Sequence, residues 1–147
     1  MSLHLRGCSD LKCDPPPLPA LASRPFLAHQ YGGSSRHFVV TFPAGKNPSS
    51  VNGIRHARHV LFPRRDMNPA MPQEAGAAGL LFASRHEMLS NPPWTVFIRM
   101  NPDARGLVQW KYFGEYECTR SAPMTPVEFA TLTNEVPHGS RSCNGSN

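Results

Sequence analysis

Two runs decide the fold: Trp94-Thr95-Val96-Phe97-Ile98-Arg99-Met100, and Leu107-Val108-Gln109-Trp110-Lys111-Tyr112-Phe113-Gly114-Glu115-Tyr116-Glu117-Cys118. In the first, Trp94, Val96, Ile98 and Met100 alternate with Thr95, Phe97 and Arg99, the period-two pattern of a β-strand. In the second, Val108, Trp110, Tyr112, Tyr116 and Cys118 fall on one face. Gln109, Lys111, Glu115 and Glu117 fall on the other. Asn101-Pro102-Asp103-Ala104-Arg105-Gly106 between them carries turn chemistry. Together they predict an antiparallel hairpin with one core face and one wet face. Gly114, inside the second strand, marks a bulge or a sharp bend, the device by which small barrels turn a corner.

Outward from the hairpin, three more strands are expected. Residues 36–42 (Arg36-His37-Phe38-Val39-Val40-Thr41-Phe42) are rich in β-branched and aromatic residues and end at Pro43. Residues 59–62 (His59-Val60-Leu61-Phe62) end at Pro63, and residues 79–83 (Gly79-Leu80-Leu81-Phe82-Ala83) are a second short apolar run. Loops are expected over 43–53 and 63–78. Thr125-Pro126-Val127-Glu128 is a capping box with Pro at the first helical position, so a helix is expected from Pro126 to about Leu132.

Composition supports a β-rich reading. The chain has 147 residues with 16 prolines and 11 glycines, which disfavours a helical bundle. Residues 1–35 read as a Pro-rich flexible arm, with Pro15-Pro16-Pro17-Leu18-Pro19 extended and Gly32-Gly33-Ser34-Ser35 a hinge. The arm reads either as a plain linker or as a ligand for a protein partner. Residues 36–136 form the single β-rich domain, and 137–147 read as a disordered tail.

Net charge is +5, which suits a polyanion partner and equally suits a plain basic surface. Cys8, Cys13, Cys118 and Cys143 lack the paired spacing of a zinc site, and no secretory signal precedes them to imply disulfides. No window approaches the ~18 apolar residues of a membrane span. The setting expected is therefore intracellular, nucleus or cytoplasm, with no membrane, metal or cofactor.

No nucleophile elbow, phosphate-cradling glycine loop or His-Glu-x-x-His is present, so no catalytic residue is assigned. Arg55-His56-Ala57-Arg58-His59 with Arg64-Arg65 is a basic cluster. His56 and His59 have no evident third metal ligand, whereas arginine forks suit phosphate. Arg55, Arg58, Arg64 and Arg65 are the candidate phosphate contacts, with Arg99 a further one unless it pairs with Glu115 or Glu117. Asn68, after a strand, and Tyr112 are candidates to meet a base. Trp110, Tyr112 and Tyr116 could stack on a base, but aromatics at period two read first as core.

Leu61-Phe62-Pro63 with Asn68-Pro69 and Pro72, Gly76 with Gly79-Leu80-Leu81-Phe82, Trp110-x-Tyr112-x-Gly114-x-Tyr116, and Pro123-Met124-Thr125-Pro126-x-Glu128-Phe129 resemble an uncharacterised domain family of mushroom-forming fungi. Met124 and Phe129 stand where that family has Leu and Trp. The resemblance covers about residues 55–132 and implies no catalytic residue. The Tyr-x-Gly-x-Tyr strand and following helix also resemble PUA-like barrels, including SRA domains that read modified cytosine. That likeness implies nucleic-acid binding by analogy alone.

The fold expected is α+β, mostly β: a small PUA-like partial barrel of about five strands with one or two short helices. Trp94, Val96, Ile98, Val108, Trp110, Tyr112, Tyr116, Leu80 and Phe82 are the expected core. The function expected is a nucleic-acid-binding module for DNA or RNA, with a reader of modified bases as its sharper form. The alternative is a protein-interaction module.

Overall fold

The computed structural model describes residues 2–7, 18–45, 56–90 and 93–134. Its elements are β1 (Ser2–Gly7), β2 (Leu21–Ala22), α1 (Arg24–Tyr31), β3 (Val39–Phe42), β4 (Arg58–Leu61), β5 (Gly79–Phe82), β6 (Trp94–Arg99), β7 (Trp110–Arg120) and α2 (Pro126–Asn134). The seven strands make one mixed sheet in the order β3-β4-β6-β7-β1-β5, with β2 also paired to β7. Only β4 and β6 run parallel. The sheet does not close on itself, and the fold is α+β, mostly β.

All five expected strands are present, and β6 and β7 form the expected antiparallel hairpin. Its turn is held by Asp103, whose carboxylate accepts from the amides of Arg105 and Leu107 (both 2.9 Å). The expected bulge is also there. Val96 faces Gly114 but Phe97 faces Tyr112, so Phe113 is the extra residue, and Gly114 takes φ +113°.

That extra residue corrects the expected faces. Side chains alternate strictly along a strand, so one inserted residue exchanges the faces beyond it. Trp110 and Tyr112 therefore pack on one side with Leu18, Ala22, Leu27, Tyr31, Val40, Phe42, Val60, Phe62 and Phe97. Phe113, Tyr116 and Cys118 pack on the other with Leu3, Leu5, Leu61, Leu81, Trp94, Val96 and Ile98. Neither face is wet at the centre, and Glu115 is buried rather than solvated. In β5 it is Leu81 that is buried, while the expected core residues Leu80 and Phe82 are half-buried.

The flexible arm expected over 1–35 is corrected as well. β1 lies inside the sheet, paired along one edge with β7 and along the other with β5. Leu3 and Leu5 enter the core. Polar Ser2, His4 and Arg6 alternate with Leu3 and Leu5, a strand signal in a short segment. α1 follows Ser23, whose hydroxyl accepts from the Phe26 amide (3.3 Å), and carries Pro in its first turn. Its Leu27 and Tyr31 cover the core on the Trp110 side. The Gly32-Gly33 pair is packed rather than hinged: a Cβ on Gly33 would come within 2.4 Å of Val40. Residues 15–17 of the polyproline run, the tail from 137, and Cys8, Cys13 and Cys143 lie outside the described residues.

The capping box forms as expected. The Glu128 carboxylate accepts from the Thr125 amide (2.7 Å) and hydroxyl (2.8 Å), and the Thr125 hydroxyl accepts from the Glu128 amide (3.3 Å).

Leu5→Ala should lower stability by about 2–5 kcal/mol, because it leaves a cavity in a filled core. Urea unfolding followed by tryptophan fluorescence reads this; an unchanged midpoint would mean that residues 2–7 do not belong to the sheet. A Cβ at Gly114 meets no atom within 4 Å but must adopt the positive φ, so Gly114→Ala should lose about 1–3 kcal/mol from backbone strain alone in the same unfolding measurement.

Candidate functional site

The sequence-expected site residues do not gather at one place. Arg55 lies outside the described residues. Arg58 is buried and pairs with Glu115, their side chains 5% and 3% exposed, so it is not a surface phosphate contact. Arg58 Nε donates to the Thr95 hydroxyl (2.7 Å), which donates to the Glu115 carboxylate (2.9 Å). The Tyr112 hydroxyl donates to the same carboxylate (2.9 Å), and its ring packs beside Phe97. Tyr112 is thus engaged inside the fold rather than offered to a base. The expected Arg99–Glu115 pairing is replaced by Arg58–Glu115, since Thr95 is the residue opposite Glu115 and Trp110 is opposite Arg99.

Arg65 is also structural. It donates to the Pro72 carbonyl (2.8 Å) and the Gln73 side chain (3.2 Å) and lies over Phe113. Burial pushes its pKa down. Asn68 is buried and ties two loops together: its amide donates to the Arg64 carbonyl (3.0 Å), and its oxygen accepts from the Phe82 amide (2.8 Å).

That tie shapes a cleft. The chain leaving β4, the chain leaving β5, the segment before β3 and the start of α1 meet there and enclose about 560 Å³. This lies within the size range of ligand pockets, about 300–1,000 Å³. Arg24, Arg36, Arg64 and Arg85 line it, with Phe38, Phe62, Phe82 and Trp110 among the apolar walls. Among the described residues no carboxylate is in the lining. Of the expected contacts, the cleft brings together Arg64 and Asn68 and leaves out Arg58, Arg65, Arg99 and Tyr112.

The four arginines differ in their surroundings. Arg64 forks onto Asp66 (Nε–Oδ1 3.0 Å), which holds that carboxyl below its ordinary range. Arg85 pairs with Glu87 at 3.1 Å. Both pairs are exposed and worth little in stability. Arg36 is exposed and has no acidic partner among the described residues. Arg24 is buried. Its guanidinium carbon lies 3.5 Å from the Phe62 ring centroid, and Nη2 donates to the carbonyls of Ser34 (2.9 Å) and His37 (2.8 Å).

Arg24, Arg36 and Arg85 were not singled out from the sequence. Ser23-Arg24-Pro25 is a helix-start signal that reveals α1, but nothing local says that Arg24 lies against Phe62, 38 positions on in the chain.

Glu115→Ala should cost about 3–5 kcal/mol, because it leaves the buried Arg58 without its carboxylate. Replacing both partners, Arg58→Met with Glu115→Leu, should cost less than the single change. Chemical denaturation of the wild type and these two variants checks this; a double variant that costs more than Glu115→Ala would show that the pair is not coupled.

Among the described residues no helix is long and apolar enough to cross a membrane. No curated protein and no solved structure matches the chain. A family model does match, over residues 21–139, spanning β2 through α2 and every described residue that lines the cleft. The chain belongs to the DUF6697 family, a domain of unknown function.

Proposed function

We propose that this domain binds nucleic acid and that the contact surface is the arginine-lined cleft. One observation carries the reading: Arg24, Arg36, Arg64 and Arg85 meet aromatic walls from Phe38, Phe62, Phe82 and Trp110 in one cavity, with no carboxylate among the described lining residues. Guanidinium forks suit phosphate oxygens. Aromatic faces suit an unstacked base, which single strands offer and duplexes do not. The net charge of +5 would assist the encounter.

The interface differs from the one expected at Arg55–Arg65, because Arg58 and Arg65 are committed to internal partners. The likeness to PUA-like barrels and to a fungal family belongs to this proposal too, as do a taste for modified bases and a place in the nucleus or cytoplasm. A second reading, a protein-interaction module, draws on a different feature. Leu21, Phe26 and Leu107 are about half exposed and share a groove with Pro19, Pro25 and Val108.

Fluorescence anisotropy with single-stranded and duplex DNA and RNA, at low and moderate salt, tests the proposal. Single strands should bind more tightly than duplexes. Arg36→Ala and Arg85→Ala should each weaken binding to every sequence and reduce the salt slope by about one. Arg6→Ala, on an exposed position of β1 away from the cleft, should leave the slope unchanged. An equal loss of slope from all three changes would reduce the effect to general surface charge. Absence of binding at low salt would leave the apolar groove as the better reading.

A further inference from the structure

We infer that the buried wall of the cleft is a phosphomonoester site built on Arg24, so that the ligand it prefers is a phosphorylated end of a single strand. The inference rests on the nucleic-acid reading and sharpens it.

Arg24 is only 8% exposed, yet it lines the cleft. Its Nη2 is fixed by two carbonyls, and among the described residues nothing accepts from its Nε or Nη1. No carboxylate pairs with it there either. Burial pushes its pKa down to about 10, so it remains a cation at neutral pH. The Phe62 face, with Trp110 farther away at 5.4 Å, offsets part of the desolvation. A buried cation without a counter-charge is costly, and an anion entering the cleft would compensate it.

The neighbouring charges select the kind of anion. Arg64 and Arg85 are already held by Asp66 and Glu87, while Arg36, on the segment that anchors Arg24, is not held by an acid. The uncompensated positive charge therefore lies with Arg24 and Arg36. An internal phosphodiester carries one charge and has chain leaving on both sides, which hinders its approach to a residue this deeply placed. A terminal phosphate carries about −1.5 to −2 at neutral pH, offers three acceptor oxygens, and has chain on one side only. The cleft volume of about 560 Å³ gives room for a terminal nucleotide whose base lies along the aromatic wall.

The test uses the full chain and short fluorescent single strands of one sequence, carrying a 5′-phosphate, a 3′-phosphate or no terminal phosphate. One phosphorylated form should bind about tenfold more tightly than the bare strand. A nucleoside monophosphate should compete for the site, and inorganic phosphate should compete less well. The preference should shrink as pH falls through about 6, where the monoester loses its second charge. Arg24→Lys should abolish the preference, so that phosphorylated and bare strands bind that variant alike. If that variant does not fold, Arg36→Gln should reduce the preference, and the pH dependence in the wild-type chain stands by itself.

Equal affinity for all three strands would overturn the inference and leave the nucleic-acid reading intact. Inorganic phosphate competing as well as the mononucleotide would also overturn it, because the site would then hold a bare anion. Absence of binding to any strand would remove both.

Discussion

The structure depends on one extra residue in β7. Phe113 enters the strand without a counterpart on β6, and Gly114 absorbs the turn at φ +113°. Every side chain before that point faces opposite to what strict alternation from the far end of the strand would require. The consequence is a sheet with two apolar faces. Trp110, Tyr112 and Phe97 need cover on one side, and Phe113, Tyr116 and Cys118 need it on the other. The N-terminal third meets both needs. Leu18, Leu27 and Tyr31 fill the core around Trp110, and Leu3 and Leu5 of β1 fill the core around Phe113. Each fully buried Leu is worth about 1.5–3 kcal/mol, enough to hold a short helix that has little stability of its own.

The bulge also explains the internal polar cluster. Tyr112 and Glu115 are three apart in the chain yet share a face, so the tyrosine hydroxyl reaches the carboxylate. Thr95 and Arg58 complete the set from β6 and β4. The β4-β6-β7 centre supplies all of it, Arg58 from β4, Thr95 from β6, and Tyr112 and Glu115 from β7. The cluster fixes how these strands register, and it consumes an arginine that would otherwise count as surface charge. The candidate site lies elsewhere, where α1 closes over the sheet and brings Arg24 onto Phe62 beside the loops that Asn68 joins. Cover for the core around Trp110 and the buried arginine of the cleft are thus delivered by the same helix.

Local chemistry was legible in the sequence wherever the signal was short-range. The hairpin, its Asp103 turn, the Gly114 irregularity and the Thr125–Glu128 cap all follow from neighbours in the chain. The consequence of Gly114 was not, because a glycine announces a bulge without saying how many residues it displaces. Glu115 accordingly read as solvated and Arg58 as exposed, though each is the other's partner 57 positions apart. β1 was hidden by its shortness and by the Pro-rich stretch that follows. Within the cleft, Arg64 and Asn68 were legible as residues after a strand. Arg24, Arg36 and Arg85 were not, since their convergence is made by tertiary packing and leaves no mark in local spacing.

The most direct measurement is an amide chemical-shift titration of the isotopically labelled chain with a phosphorylated single strand. The account predicts that the perturbations concentrate at Arg24, along 35–38, along 62–68 and along 82–85, the segments that frame the cleft. Perturbations centred instead on Leu21, Phe26 and Leu107, or spread evenly over the exposed basic residues, would contradict it.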